Sequence, residues 1–153
     1  MIHVYRIGRT RYARDLKGEG ARLFGGRWNH KSIPCIYTSE SRSLALLEYT
    51  VNINIDEIPR ALSFTTFEMP STDIQLIEEA DLPGNWKQAP APPETKDFGS
   101  RFFWYAEYPV LKIPSSIIPA EFNYLINPLH AGIKNVSIID VSDFVYDIRI
   151  KTV

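Results

Sequence analysis

Between Asp81 and Thr95 the chain carries Pro83, Pro90, Pro92 and Pro93, and regular structure is not expected across such a stretch. Each ring fixes φ and removes a backbone donor, so the chain is built from short elements on either side of a loop over 81–95. Residues 2–7 read as a first strand. Residues 18–29 read as a glycine-rich loop containing Gly18, Gly20, Gly25 and Gly26. Residues 33–38 form a short apolar strand, irregular near its start because of Pro34. Ser39 or Ser41 can cap a helix running to about Asn52. Residues 61–69 and 74–79 read as strands. Beyond the loop, the proline-free aromatic run 98–108 reads as helical and 110–113 as a strand, with Pro114-Ser115-Ser116 turning. Residues 136–141 and 144–150 read as closing strands. The second alternates Phe144, Tyr146, Ile148 and Ile150 with Val145, Asp147 and Arg149. The pattern is α+β, with more strand than helix.

At 153 residues and 44% hydrophobic composition, one domain over 1–153 with a real core is expected. A formal net charge of -1 gives no general attraction to nucleic acid or anionic membranes, so neither is expected as a direct partner. There is a local basic surplus in Arg6, Arg9, Arg11, Arg14, Lys17, Arg22 and Arg27. Such a run suits a solvated face or an anionic ligand such as a dinucleotide. Cys35 is the single cysteine, so no intrachain disulfide forms; its apolar neighbours suggest a buried side chain rather than a nucleophile. The first residues lack a signal-peptide pattern and no apolar run is long enough to cross a bilayer, so a cytoplasmic location is expected.

The helix over 41–52 holds the most informative residue. At 100° per residue Glu48 falls on the stripe of Leu44, Leu47 and Val51. A carboxylate on an apolar face is costly unless it is paired, protonated or used in chemistry. Pairing with a nearby arginine, or rotation to the rim of the face, are the structural alternatives. A second candidate is Gly25-Gly26-Arg27-Trp28-Asn29, where glycines admit close backbone approach, arginine offers a planar fork and tryptophan a stacking face. A structural glycine turn with a packed Trp28 fits equally well. The loop matches neither a P-loop nor a Rossmann fingerprint. No His or Cys grouping has metal-ligand spacing, and no metal is expected.

Several motifs, in order, resemble the RES domain: Gly18-x-Gly20-Ala21, Gly25-Gly26-Arg27-Trp28-Asn29, Ile36-Tyr37-Thr38-Ser39 and Leu44-Ala45-Leu46-Leu47-Glu48. The later runs Ile113-Pro114-Ser115-Ser116-Ile117-Ile118-Pro119 and Glu121-Phe122-Asn123-Tyr124-Leu125-Ile126-Asn127-Pro128-x-His130 continue the likeness, as does the ending with Phe144, Asp147 and Arg149. Lys31-Ser32 stands where the family often has a glycine. Gly99-Ser100-Arg101-Phe102-Phe103 stands where it often has Gly-x-x-Trp.

The resemblance implies a fold related to ADP-ribosyltransferase toxins, with mixed or antiparallel sheets and few helices. It implies the toxin of a toxin–antitoxin pair that degrades NAD⁺ as a glycohydrolase or phosphorylase, opposed by an Xre-like helix-turn-helix antitoxin, with an oligomer conceivable in that complex. NAD⁺ is then a substrate, and no cofactor is implied. The family's arginine, glutamate and serine carry over to Arg27, Glu48 and Ser115, with Tyr37 a further active-site residue. In that reading Glu48 stabilises positive charge on the ribose, Arg27 holds the diphosphate or the adjacent ribose, and Tyr37 stacks on or flanks the nicotinamide. Ser115 bonds the ribose or orients Glu48. Arg6, Gly26, Trp28 and Asn29 are expected to bind substrate, Asn123 to brace the site, and His130 to be structural. The alternatives are ADP-ribosyl transfer to a macromolecule, and a non-enzymatic binding module using Phe102-Phe103-Trp104-Tyr105.

Overall fold

A computed structural model describes residues 1–152. The expected domain runs over 1–153, and its last residue, Val153, lies outside the described residues. The strands are β1 (Ile2–Arg9), β2 (Ile36–Ser39), β3 (Leu62–Met69), β4 (Ile74–Leu76), β5 (Val110–Pro114), β6 (Phe122–Ile126) and β7 (Ser137–Phe144). The α-helices are α1 (Glu19–Phe24), α2 (Arg42–Asn52) and α3 (Pro93–Tyr105). The strands form one mixed sheet in the order β4-β5-β6-β2-β1-β3-β7. Among the described residues only the β4–β5 pair is parallel. The architecture is α+β, with a large sheet and few helices.

β1 and β2 meet through one register pair, Tyr5 with Ser39, whereas β1 and β3 pair along their full length. The sheet is therefore two well-laddered halves held together at a narrow junction, and α2 packs against β1 and β2 at that junction. Strand alternation separates two faces. On one, Val4, Ile36, Phe67, Met69, Val110, Tyr124, Ile126 and Val136 form a core. On the other, Leu111, Ile113 and Leu125 pack with Trp28, Trp86 and Phe103, and Ile7 and Phe64 pack with Ala45 of α2. The candidate chemistry lies on this second, helix-bearing face.

Helix α2 starts where expected. Ser41 has extended φ and ψ, and its Oγ accepts the Leu44 N–H at 3.1 Å, a cap worth about 1 kcal/mol. Its buried face differs from the expected stripe. Leu44, Ala45 and Thr50 are buried while Val51 is 55% exposed, because the helix leans on Tyr5 and Ile7 through Ala45, Leu46 and Tyr49. Glu48 is thereby turned to the rim rather than into the core.

Other local expectations change in identifiable ways. Residues 19–24 of the glycine-rich region form α1, entered through Gly18 at φ 67° and left through Gly25 at φ 72°. The loop expected through Thr95 ends earlier: Pro93 occupies the first turn of α3, where a missing N–H costs nothing. The strand expected over 74–79 stops at Leu76. β6, not recognised from the sequence, forms between β5 and β2. The two closing strands are one, β7. After Phe144 the chain leaves the sheet, Tyr146 is buried with its hydroxyl 2.8 Å from Thr50 Oγ1, and residues 148–150 form a 3-10 turn capped by Asp147. No helix among the described residues is long and apolar enough to cross a membrane.

Candidate active site

Glu48 projects from α2 toward the end of β5 and the start of β6. Its Oε1 accepts two hydrogen bonds of 2.7 Å each, from Ser115 Oγ and from Asn123 Nδ2. Oε2 has no hydrogen-bond partner among the described residues. Both donors therefore fix one oxygen and leave the other available. Ser115 is fully buried in the turn after β5, and its Oγ also accepts the Ile117 and Ile118 N–H groups at 3.1 and 3.2 Å. Its hydroxyl hydrogen is thereby directed to the carboxylate. Asn123 is oriented in the same manner, since its Oδ1 accepts from Ser39 Oγ at 2.7 Å. Ser39 and Asn123 are register partners on β2 and β6, so the sheet itself supplies this contact.

Arg27 sits in the turn between α1 and β2. Gly26 and Asn29 close that turn by an isolated bridge, with Gly26 N–H donating to Asn29 O at 3.1 Å. Tyr37 of β2 lies beneath it: its hydroxyl donates to Asn29 Oδ1 at 2.6 Å and accepts the Trp28 N–H at 3.0 Å. A Cβ on Gly26 would stand 2.6 Å from that hydroxyl oxygen, so only glycine fits there. From the other side α3 presses on the turn. A Cβ on Gly99 would meet Trp28 O at 1.9 Å, Ser100 Oγ accepts the His30 N–H, and Lys96 Nζ donates to Gly26 O at 2.6 Å. Arg27 Nη1 donates to the carbonyls of Trp86 and Gln88 at 2.9 and 2.7 Å. The proline-dense loop thus holds the guanidinium in place.

No ion pair joins Arg27 to Glu48 among the described residues. They sense each other nonetheless. Partial burial lowers the Arg27 pKa, and Glu48 and then Tyr37 oppose that shift. Burial also drives the Tyr37 phenol well above its ordinary value, so Tyr37 works as a neutral hydroxyl. The Cys35 thiol is likewise pushed up by burial.

Arg27, Tyr37, Glu48, Ser115 and Asn123 thus lie on the helix-bearing face, with Gly26 at the foot of the turn. Three expected substrate contacts are placed elsewhere. Trp28 is 3% exposed and packs against Trp86 and Phe98, so its ring faces the core rather than a ligand. Asn29 is fully buried, and its amide donates to the carbonyls of Ala21, His30 and Ile33, which makes it a tie for the turn. Arg6 points to the opposite face, over the Phe67 ring, and donates to the carbonyls of Tyr12, Ala13 and Asp15. Its pKa is lowered by burial against the opposing pull of Asp15.

His130 Nδ1 accepts the Gly132 N–H at 2.8 Å. Of the aromatic run, Phe103 is buried while Trp104 and Tyr105 are exposed. Among the described residues no cluster of three or more His, Cys, Asp or Glu could hold a metal ion. Ser39 and Lys96 escaped sequence reasoning. Their one available signal was position, Ser39 next to Tyr37 on a strand and Lys96 just after a proline run, and neither marks chemistry.

The model of the RES domain matches residues 3–147 of the chain. The protein named toxin Res from Yersinia enterocolitica is 36% identical over 150 residues, which cover 97% of this chain and 99% of that protein. The Prs ADP-ribosylating toxin of a Sphingobium species is 36% identical over 144 residues, covering 92% and 89% respectively. Among solved structures, a chain from the crystal structure of the M. tuberculosis MbcT-MbcA toxin-antitoxin complex superposes with a TM-score of 0.72 at 19% identity. The match covers 94% of this chain and 84% of that one, a likeness of fold.

Proposed function

The chain belongs to the RES domain family, and on that premise we propose that it is the toxin of a toxin–antitoxin pair and cleaves the nicotinamide–ribose bond of NAD⁺. The observation that carries this reading is the Glu48 carboxylate, fixed through Oε1 by Ser115 and Asn123 with Oε2 unclaimed. When the glycosidic C–N bond breaks, its electron pair leaves with the pyridinium ring, which becomes neutral nicotinamide, and the ribose carbon becomes cationic. A carboxylate oriented beforehand stabilises that cation without reorganising. Oε2 accepts a ribose hydroxyl, Arg27 takes a phosphate oxygen through its free Nε and Nη2, and Tyr37 borders the nicotinamide.

Water completes the reaction by adding its oxygen to the ribose carbon and releasing a proton, giving ADP-ribose. Phosphate gives the corresponding phosphate ester. Transfer to a macromolecule is the second reading, favoured by the similarity to a relative named as an ADP-ribosylating toxin. NAD⁺ is consumed as substrate and no cofactor is required. The inhibitory partner in this reading is an Xre-like helix-turn-helix antitoxin, and the likeness of fold to a chain of a toxin-antitoxin complex supports the presence of an antitoxin. The site of action is the cytoplasm, where its substrate is.

Glu48→Gln keeps the shape of the side chain and removes its charge. Nicotinamide release from NAD⁺ by purified protein is expected to fall at least about 100-fold. Release at the parental rate would sink the mechanism. With NAD⁺ labelled in the adenylate, label recovered only in small products supports hydrolysis or phosphorolysis, and label retained on a macromolecule supports transfer.

A further inference from the structure

A group of cations gathers at the Gly25–Gly26 turn with no ion pair to a carboxylate among the described residues, Glu48 acting on Arg27 without pairing with it. Lys96, near the start of α3, donates one of its three N–H groups to Gly26 O at 2.6 Å and has no other partner among the described residues. The Lys31 side chain runs past Gly25, its Cγ 3.7 Å from where a Cβ on that glycine would stand, and its ammonium makes no hydrogen bond or ion pair among the described residues. Arg27 extends from the same turn, and its Nε and Nη2 have no hydrogen-bond partner among the described residues, Nη1 making both of its bonds. The neighbouring carboxylates are engaged elsewhere: Asp97 with His30 at 2.6 Å, Glu94 with Asn85 at 3.1 Å, and Glu19 with Arg22 at 2.8 Å. Burial first, then Arg27 and Lys31, lower the Lys96 pKa, which places the three charges within electrostatic reach of one another. Like charges gathered in a partly desolvated spot repel, and a bound anion removes that cost.

We propose that Lys96 and Lys31, together with Arg27, form the subsite that holds the diphosphate of the dinucleotide. The inference rests on the reading of NAD⁺ as substrate and assigns two residues to it. A diphosphate presents two charged groups with several acceptor oxygens, matching two ammonium groups and a guanidinium fork.

The test is titration calorimetry at low ionic strength with ADP, AMP, adenosine and inorganic phosphate. In Lys31→Gln and in Lys96→Gln the affinity for ADP is expected to fall about tenfold or more, with adenosine affinity unchanged. Lys96→Arg is expected to keep ADP affinity. The Lys31 ammonium makes no hydrogen bond or ion pair among the described residues, so its variant decides the matter even if Lys96→Gln loosens the turn. Unchanged ADP affinity in both glutamine variants overturns the proposal. So does inorganic phosphate binding through these lysines without competition from ADP, which would make the site one for free phosphate. If ADP binds through the lysines while the parental protein releases no nicotinamide from NAD⁺, the subsite stands and the NAD⁺-cleavage reading falls.

Discussion

The Ser115 hydroxyl donates to Glu48 Oε1 at 2.7 Å while accepting the N–H groups of Ile117 and Ile118. Its proton has one place to go, so the serine acts on the carboxylate as a fixed donor rather than as a nucleophile. The turn after β5 and the rim of α2 are coupled through that single oxygen.

Ser115→Ala should therefore show two separable effects. Two backbone N–H groups lose their acceptor in a buried turn, lowering stability by about 1–3 kcal/mol in urea unfolding. Nicotinamide release should fall by about 10- to 100-fold as Glu48 loses one of its two fixed donors. Unchanged stability with full activity would contradict both roles.

The Ser39 hydroxyl reaches Glu48 only through Asn123, donating to its Oδ1 at 2.7 Å. Without its hydroxyl the Asn123 amide is free to flip, which would bring Oδ1 against the Glu48 carboxylate. Ser39→Ala is expected to lower kcat several-fold with KM for NAD⁺ little changed, and Ser39→Thr to restore it. A rise in KM at constant kcat would show that Ser39 contributes to binding instead.

Gly26→Ala tests the seat of Arg27. The new methyl would lie 2.6 Å from Tyr37 Oη and 2.8 Å from Tyr37 Cζ, so the turn or the ring must move. Overpacking of this kind costs about 1–3 kcal/mol. A lower thermal midpoint and weakened ADP binding should appear together.

The direction of the Lys96 shift gives a pH dependence. The ammonium form binds the anion. Because burial, Arg27 and Lys31 lower its pKa, that form is lost at a lower pH than in an ordinary lysine. ADP affinity should be full at neutral pH and decline on the alkaline side as pH rises through the lowered value. In Lys96→Arg the decline should move to higher pH, since a guanidinium stays charged. Coincident profiles for the two proteins would remove Lys96 from the site.

Residues on α2 were legible because helix and cap signals are local. Ser41 followed by a 3.6-residue apolar pattern needs no distant partner to be read. The same pattern could not say how the helix is rotated. Val51 and Ala45 exchange roles because Tyr5 and Ile7 of β1 decide which side is covered. β6 carries no local strand signal, since Phe122-Asn123-Tyr124-Leu125-Ile126 does not alternate cleanly. It is covered on both faces, which removes the polar positions that would mark a half-exposed strand.

By itself the sequence determined the family, the α+β class and the placement of Glu48 on a helix and Arg27 in a glycine turn, because motif order and short-range periodicity are properties of the chain. Which groups meet is a matter of long-range packing. Glu48 finds Ser115 across 67 residues and Asn123 across 75, and both directions depend on the register of β2, β5 and β6. It also sent Trp28 and Asn29 into the core and Arg6 to the far face. Hydrogen-bond directions and strand faces follow from the packing of distant segments, which no local pattern encodes.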